Sequence, residues 1–407
     1  MPDTIKNGVT TTTWYYADAS GSCYLNDKFE IDGKTYWFNS GGANLRKSFR
    51  SVGKRRRYYD EDGVLQKDCW FSTTSTTTVT GPEAERIPEE ERTTENKTWY
   101  YADSDGYIVT RTDQEFDGAE YRINKNGTMV TGWQRDSLGD YVYYRDDGAK
   151  VYGWMKFELT SDWLHDEFYV NYAKKYGKEV WFYLDPSNEG RAIHPRTQSY
   201  GEVTIDGKIY GANKRGMIMF GWVKVKPNFP DKEAYRYFMP EAKDGFLQGQ
   251  RAQSTWIYDS LPDELGLGTD KTWFYIDEFG DVVRADEKKN EILTKGDRTC
   301  LFDNFGRTLS GLAYKSSKNV EIRDIYYFDP EKNNTQAVGL TQVTLPDGRK
   351  ETYFFRNDGI GATGVIDGYL YYKGRRQIGS GTCAVTYVTN EDNNLADIKQ
   401  IYLWGVR

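Results

Sequence analysis

The sequence predicts an all-β protein, a solenoid of stacked β-hairpin repeats of about 21 residues with one short helical insertion. Two observations carry that prediction. Eight-residue stretches that open on aromatic side chains end on glycines at Gly21, Gly42 and Gly63, then at Gly106, Gly127 and Gly148, a step of 21 residues within each trio. Composition agrees: 12 Trp, 33 Tyr and 19 Phe stand beside 40 Gly among 407 residues, which suits aromatic-filled hairpins better than an aliphatic core.

The octets read "WYYADASG" (14–21), "TYWFNSGG" (35–42), "RRYYDEDG" (56–63), "WYYADSDG" (99–106), "EYRINKNG" (120–127) and "YVYYRDDG" (141–148). The form returns at wider spacing as "IYGANKRG" (209–216), "WFYIDEFG" (273–280), "TCLFDNFG" (299–306) and "TYFFRNDG" (352–359). A second mark follows five residues after a closing glycine, at Gly132-Trp133, Gly153-Trp154, Gly221-Trp222, Gly311-Leu312 and Gly364-Val365. Side chains alternate faces along a strand, so Trp99 and Tyr101 are expected on one face and Tyr100 on the other. Asp105-Gly106 supplies the positive φ of a tight turn, and each octet is read as the first strand and turn of a hairpin, with "YIVT" as the return strand. One hairpin is at best marginally stable alone, so successive units are expected to stack.

Along the chain, residues 1–71 form a first block of hairpins. Residues 72–97 pass from Thr-rich to Glu-rich without a periodic apolar face and are read as a loop or linker. Residues 98–379 form a second, interrupted array. Within it, "SDWLHDEFYVNYAKKYGKE" (161–179) sets Trp163, Leu164, Phe168, Tyr172 and Tyr176 near helical spacing, a helical insertion over about 158–179 capped by Ser161 or Asp162 and ended by Gly177. Residues 380–407 leave the repeat pattern while staying β-rich, as a cap or a docking segment for protein assembly would.

A net charge of −7 without a long basic stripe argues against nucleic acid as a partner. No apolar run reaches the roughly 18 residues of a membrane span, so no membrane insertion is expected. Cys23, Cys69, Cys300 and Cys383 lack metal-ligand spacing with His165 and His194 and are read as core or strand residues; neither a metal nor a cofactor is expected. A nucleophile elbow, a phosphate-binding loop and a zinc-protease motif are all missing from the sequence, so the expectation is a protein that is not an enzyme, with no catalytic residues.

The stretch "TGWQRDSLGDYVYYRDDGAKVYGWMK" and, nearly as well, "KIYGANKRGMIMFGWVKV" resemble the cell-wall-binding repeat family, which includes choline-binding, glucan-binding and clostridial-toxin repeats. That resemblance implies ligand sites between consecutive hairpins where aromatic rings converge. Carried onto this sequence, it makes Trp133, Tyr141, Tyr143 and Trp154 ligand-binding rings, with Trp181 and Trp222 as further candidates. Its incomplete Gly-Trp pattern, with Leu312 and Val365 at the ring position, leaves choline a lesser possibility than a cell-wall or surface glycan. Function is therefore expected to be non-catalytic binding of bacterial cell-wall or surface polysaccharide, in an extracellular or cell-surface setting. The alternative is a structural, fibre or host-attachment part of a phage virion or surface assembly, which the lack of an apolar signal-peptide core in the first thirty residues would suit.

Overall fold

The computed structural model describes residues 4–6, 9–78, 93–161, 163–196, 200–225, 235–262, 265–286, 289–316, 323–379, 383–389 and 395–403. The described chain is a succession of small antiparallel sheets, mostly hairpin pairs, with a single α-helix among the described residues. Two compact units partition it, residues 1–156 with 182–193 and residues 157–181 with 194–407.

In the first unit the hairpins pair Asp27–Ile31 with Lys34–Phe38, Ser48–Val52 with Arg55–Tyr59, and Cys69–Thr78 with Thr93–Ala102. They continue with Thr112–Phe116 against Ala119–Ile123 and Gly132–Arg135 against Tyr141–Tyr144. This corrects the sequence reading of most octets. From 35–42 onward the aromatic half is the second strand of a hairpin, and "YIVT" contributes only a bridge from Ala102 to Ile108, whereas the octets at 209–216 and 299–306 also pair with the short strands that follow, Ile218–Met219 and Thr308–Leu309. The two-residue turn lies upstream, at Asp32-Gly33 and Asp117-Gly118, where both residues have positive φ and therefore match the right-handed twist of the flanking strands.

The closing glycines do share one geometry, with φ of 79°, 82° and 85° at Gly106, Gly127 and Gly148. An Asp or Asn three residues before the glycine holds most of these turns. The side chains of Asp18, Asn39, Asp60, Asp103 and Asn124 each accept from the backbone N–H groups two and four residues on, at 2.8–3.1 Å. Five residues after the glycine the backbone turns left-handed again, at Gly132 and Gly153 but also at Asn26, Lys47, Asp68 and Arg111, where no glycine marks it.

Two contacts join each repeat to the one before. The N–H two residues past the closing glycine donates to a carbonyl thirty residues upstream: Asn44 to Trp14, Leu65 to Thr35, Met129 to Trp99 and Lys150 to Glu120, all at 2.8–2.9 Å. The glycine itself rests on the preceding repeat, so that a Cβ at Gly127 would lie 2.6 Å from Ile108 Cγ2 and one at Gly106 2.8 Å from Leu65 Cδ2. From Gly42 to Gly148 the side chain four residues before the closing glycine fills the core: Phe38, Tyr59, Ala102, Ile123 and Tyr144 are at most 3% exposed.

The strand ladder also enters the segment 72–97 from both ends, pairing Ser72 with Trp99 and Thr78 with Thr93. Residues 72–78 and 93–97 are thus strand, as the β-preference of their threonines allows. Residues 79–92 lie outside the described set.

The second unit holds the helix, Glu167–Tyr176. Its cap is Asp166, whose carboxylate accepts from the Phe168 N–H at 2.9 Å, rather than Ser161 or Asp162; Gly177 ends it with φ 87° as expected. Hairpins follow at Tyr200–Ile205 with Lys208–Asn213, Gly221–Lys224 with Tyr235–Phe238, Thr255–Asp259 with Thr272–Ile276, and Glu291–Lys295 with Arg298–Phe302. Residues 339–376 build a five-stranded sheet, and Cys383–Thr389 pairs with Leu395–Leu403. Gly249 repeats the glycine rule where the sequence showed no octet: its φ is 78°, and a Cβ there would lie 2.7 Å from Ile218 Cγ2.

These contacts predict a paired result. Gly118 has φ 77° and open space around it, so Gly118→Ala should cost only the backbone strain, roughly 1 kcal/mol. Gly127→Ala adds overlap with Ile108 and should cost roughly 2–4 kcal/mol. Urea unfolding followed by circular dichroism distinguishes them, and equal losses would show that stacking on Ile108 contributes nothing.

Candidate functional site

Alternation in the strand Tyr141–Tyr144 separates two jobs. Val142 and Tyr144 are buried, while Tyr141 and Tyr143 stay half-buried on the other face. Trp133 is the register partner of Tyr143, so it joins that face, its ring 5.0 Å from Tyr143 and 6.1 Å from Tyr141, both edge-on. Phe182 packs on Trp133 at 4.5 Å. Burial pushes the Tyr143 phenol above its ordinary pKa. Tyr141 is engaged by its own hairpin, since the Arg135 guanidinium donates to its hydroxyl at 2.7 Å and lies 4.7 Å from its ring centroid.

Trp154 packs against Tyr183 at 5.2 Å, and it is 39% exposed. Tyr183 follows Phe182 in one strand, and consecutive strand side chains leave opposite faces. Three of the four expected rings therefore meet directly, and Trp154 has its own aromatic neighbour.

The other two candidates, Trp181 and Trp222, come together in the second unit. Both line a cavity of about 710 Å³ whose remaining aromatic wall is Tyr176 and Phe220. Trp222 is 6% exposed and stands edge-on to Tyr237 at 5.0 Å and to Phe274 at 5.2 Å, so much of its ring is core. The helix forms a second wall through Asn171, Lys174, Lys175 and Tyr176, and Glu179, Gln248, Asp259 and Ser260 contribute polar groups.

The helix is held at both ends. Arg215, in the turn before Gly216, donates twice to the Asp166 carboxylate at 3.1 Å and lies over the rings of Phe168 and Tyr169. Tyr172 is buried and donates its hydroxyl to the Ile218 carbonyl at 2.7 Å; burial raises its pKa. Tyr176 packs between Tyr172 and Phe220. Sequence reasoning missed Phe220 and the helix lysines as lining residues, although the spacing of Tyr172 and Tyr176 marked the docking face of the helix.

Among the described residues, no group of three or more His, Cys, Asp or Glu side chains could hold a metal ion. No described helix is long and apolar enough to cross a membrane. Cys300 is a free thiol whose pKa burial pushes up to about 11.

Residues 94–108, the end of the long hairpin and its closing turn, match the model of the cell wall binding repeat. In that segment the chain is similar to a cell wall binding repeat. An alignment of 176 residues at 26% identity relates the chain to glucosyltransferase-S of Streptococcus mutans, covering 38% of this chain and 12% of that enzyme's length. Among solved structures, choline binding protein F of Streptococcus pneumoniae aligns over 86% of this chain and 98% of its own, at 16% identity and a TM-score of 0.37. The modular autolysin LytC of the same species aligns over 87% of this chain and 53% of its own, at 14% identity and a TM-score of 0.27. The matched segment 94–108 includes Asp103 and Gly106, the pair that closes its turn.

If the helix wall of the cavity hangs on the Tyr172 bond, Tyr172→Phe should destabilise the protein by about 1 kcal/mol, leaving the Ile218 carbonyl without that donor. Urea unfolding with tryptophan fluorescence would report the loss. An unchanged midpoint would show that the hydroxyl adds nothing to docking.

Proposed function

We propose that this chain binds bacterial cell-wall or surface polysaccharide through aromatic faces between hairpins, without catalysing a reaction on it, at the cell surface or outside the cell. The observation that carries this reading is the division of labour in the strand Tyr141–Tyr144. One face fills the core, and the other keeps Tyr141 and Tyr143 half-open beside Trp133. Flat rings with one accessible side suit the apolar face of a sugar. Trp154, at 39% exposed, and Trp99, at 38%, offer similar surfaces farther along, with Trp181 in the cavity wall. Trp222 is assigned a mainly supporting part, because its ring is nearly covered.

A neutral or acidic glycan fits better than choline. A choline site needs a ring face open to a quaternary ammonium, yet guanidinium groups already cap many rings here. Arg135 lies over Tyr141, Arg50 lies 3.4 Å from the Trp37 centroid, Arg46 lies 5.2 Å from Trp14, and Arg298 lies 4.5 Å from Trp273. At those rings an incoming trimethylammonium group would have to displace an internal cation of the same charge.

A pull-down on purified bacterial cell walls tests the proposal. Trp133→Ala should weaken binding by about 1–3 kcal/mol while circular dichroism stays unchanged. Free choline should fail to release the wild-type protein. Equal wall binding by a folded Trp133→Ala protein would remove this face as the site and favour a structural role for the repeats; release by choline would restore the ammonium ligand.

A further inference from the structure

We infer that the 710 Å³ cavity of the second unit is a separate binding site for a short acidic saccharide, one carrying a carboxylate or phosphate. This inference rests on the glycan-binding reading but assigns it a different place and a charge. The cavity volume falls within the roughly 300–1,000 Å³ of small-ligand sites. Its composition is divided. Trp181 and Phe220 give an aromatic wall on which a sugar ring can lie, and Asn171, Gln248 and Ser260 give neutral polar groups for its hydroxyls.

The charges in the wall decide the class. Two carboxylates and two ammonium groups line the cavity, but they are not equally available. Asp259 is committed to its own hairpin: it accepts from the Tyr237 hydroxyl at 3.0 Å and from the Ser260 N–H at 2.9 Å, and Lys271 lies 3.8 Å away. Glu179 also has an internal partner. On the helix, Lys174 and Lys175 are exposed, and among the described residues neither has an ion pair. Lys175 lies 5.3 Å from the Tyr176 ring, which fixes the charge beside the aromatic wall. The cavity lining therefore combines aromatic rings with two ammonium groups that have no ion pair among the described residues.

The anchors described above make this wall a built one. Asp166 with Arg215 holds the start of the helix, and Tyr172 on the Ile218 carbonyl holds its middle, so the lysines are presented from a positioned element. A helix C-terminus attracts lysines in any protein. Here the same turn also lines a cavity together with Trp181 and Phe220.

The test is calorimetric titration of the full chain with a neutral glucotriose and with the same trisaccharide bearing a terminal uronic acid or a terminal phosphate. The wild type should bind at least one acidic form at least tenfold more tightly than the neutral one, and added salt should weaken that binding. Trp181→Ala should reduce all binding, and the surface variant Lys174→Ala/Lys175→Ala, which leaves the core untouched, should abolish the preference for acid. Equal affinity for the neutral sugar, or an undiminished acid preference in the lysine variant, would overturn the proposal. If no trisaccharide binds while the wild type still binds cell walls through the Trp133 face, this cavity is ruled out and the wider reading stands. If neither binds, both fall. A preference for only one acid would identify that source and support the site.

Discussion

Everything in the array depends on how closely one backbone turn approaches the repeat before it. The closing glycine occupies left-handed φ and lies against the side chain two residues past the previous glycine, as Gly127 does on Ile108 and Gly106 on Leu65. At that approach distance the following N–H can reach a carbonyl thirty residues upstream. A side chain at the glycine would push the turns apart and break that bond as well. The period of 21 residues is thus the length of chain needed to make one hairpin and come back into contact with the last.

The same geometry explains what could be read from the sequence. Closing glycines were visible because no other residue satisfies both the positive φ and the close approach, and the aromatic strands were visible because their alternating burial leaves a pattern. The second left-handed position was legible only where glycine filled it. At Asn26, Lys47, Asp68 and Arg111 the backbone bends the same way behind an ordinary side chain, so those repeats looked incomplete. Strand order was misread because Asp-Gly occurs in two kinds of turn, the two-residue turn at Asp117-Gly118 and the Asp-held closing turn at Gly106. The Gly249 repeat was hidden because its aromatic strand and its glycine are separated by a longer loop. For the candidate sites, individual rings were legible from the Gly-Trp pattern. The cavity around Trp181 and Trp222 was not, because its wall comes from a helix whose place depends on Arg215 and Ile218, far along the chain.

Aromatic residues here do two different things, and strand alternation assigns them. Tyr59, Tyr144, Phe302 and Phe355 are sealed into the core. Their neighbours face outward, where many are stacked with arginine. Such stacking shields an exposed ring from water and from association with other rings, at a favourable energy of about 0.5–1 kcal/mol per exposed pair. A surface rich in tryptophan and tyrosine can then persist without collapsing on itself.

The departures from regular spacing fall largely at one place in the repeat. The long hairpin extends between Cys69–Thr78 and Thr93–Ala102, the helix lies between the strands Gly153–Glu158 and Glu179–Asp185, and Lys224 and Tyr235 bracket a further extension. Each falls in sequence between two paired strands and away from the closing turns. The closing-turn contacts that register one repeat on the next lie outside these insertions, so a lineage can insert, delete or exchange residues there while inheriting the scaffold intact. The array is in that sense a frame for grafted loops, and new recognition chemistry can be acquired at a tip without re-evolving the fold.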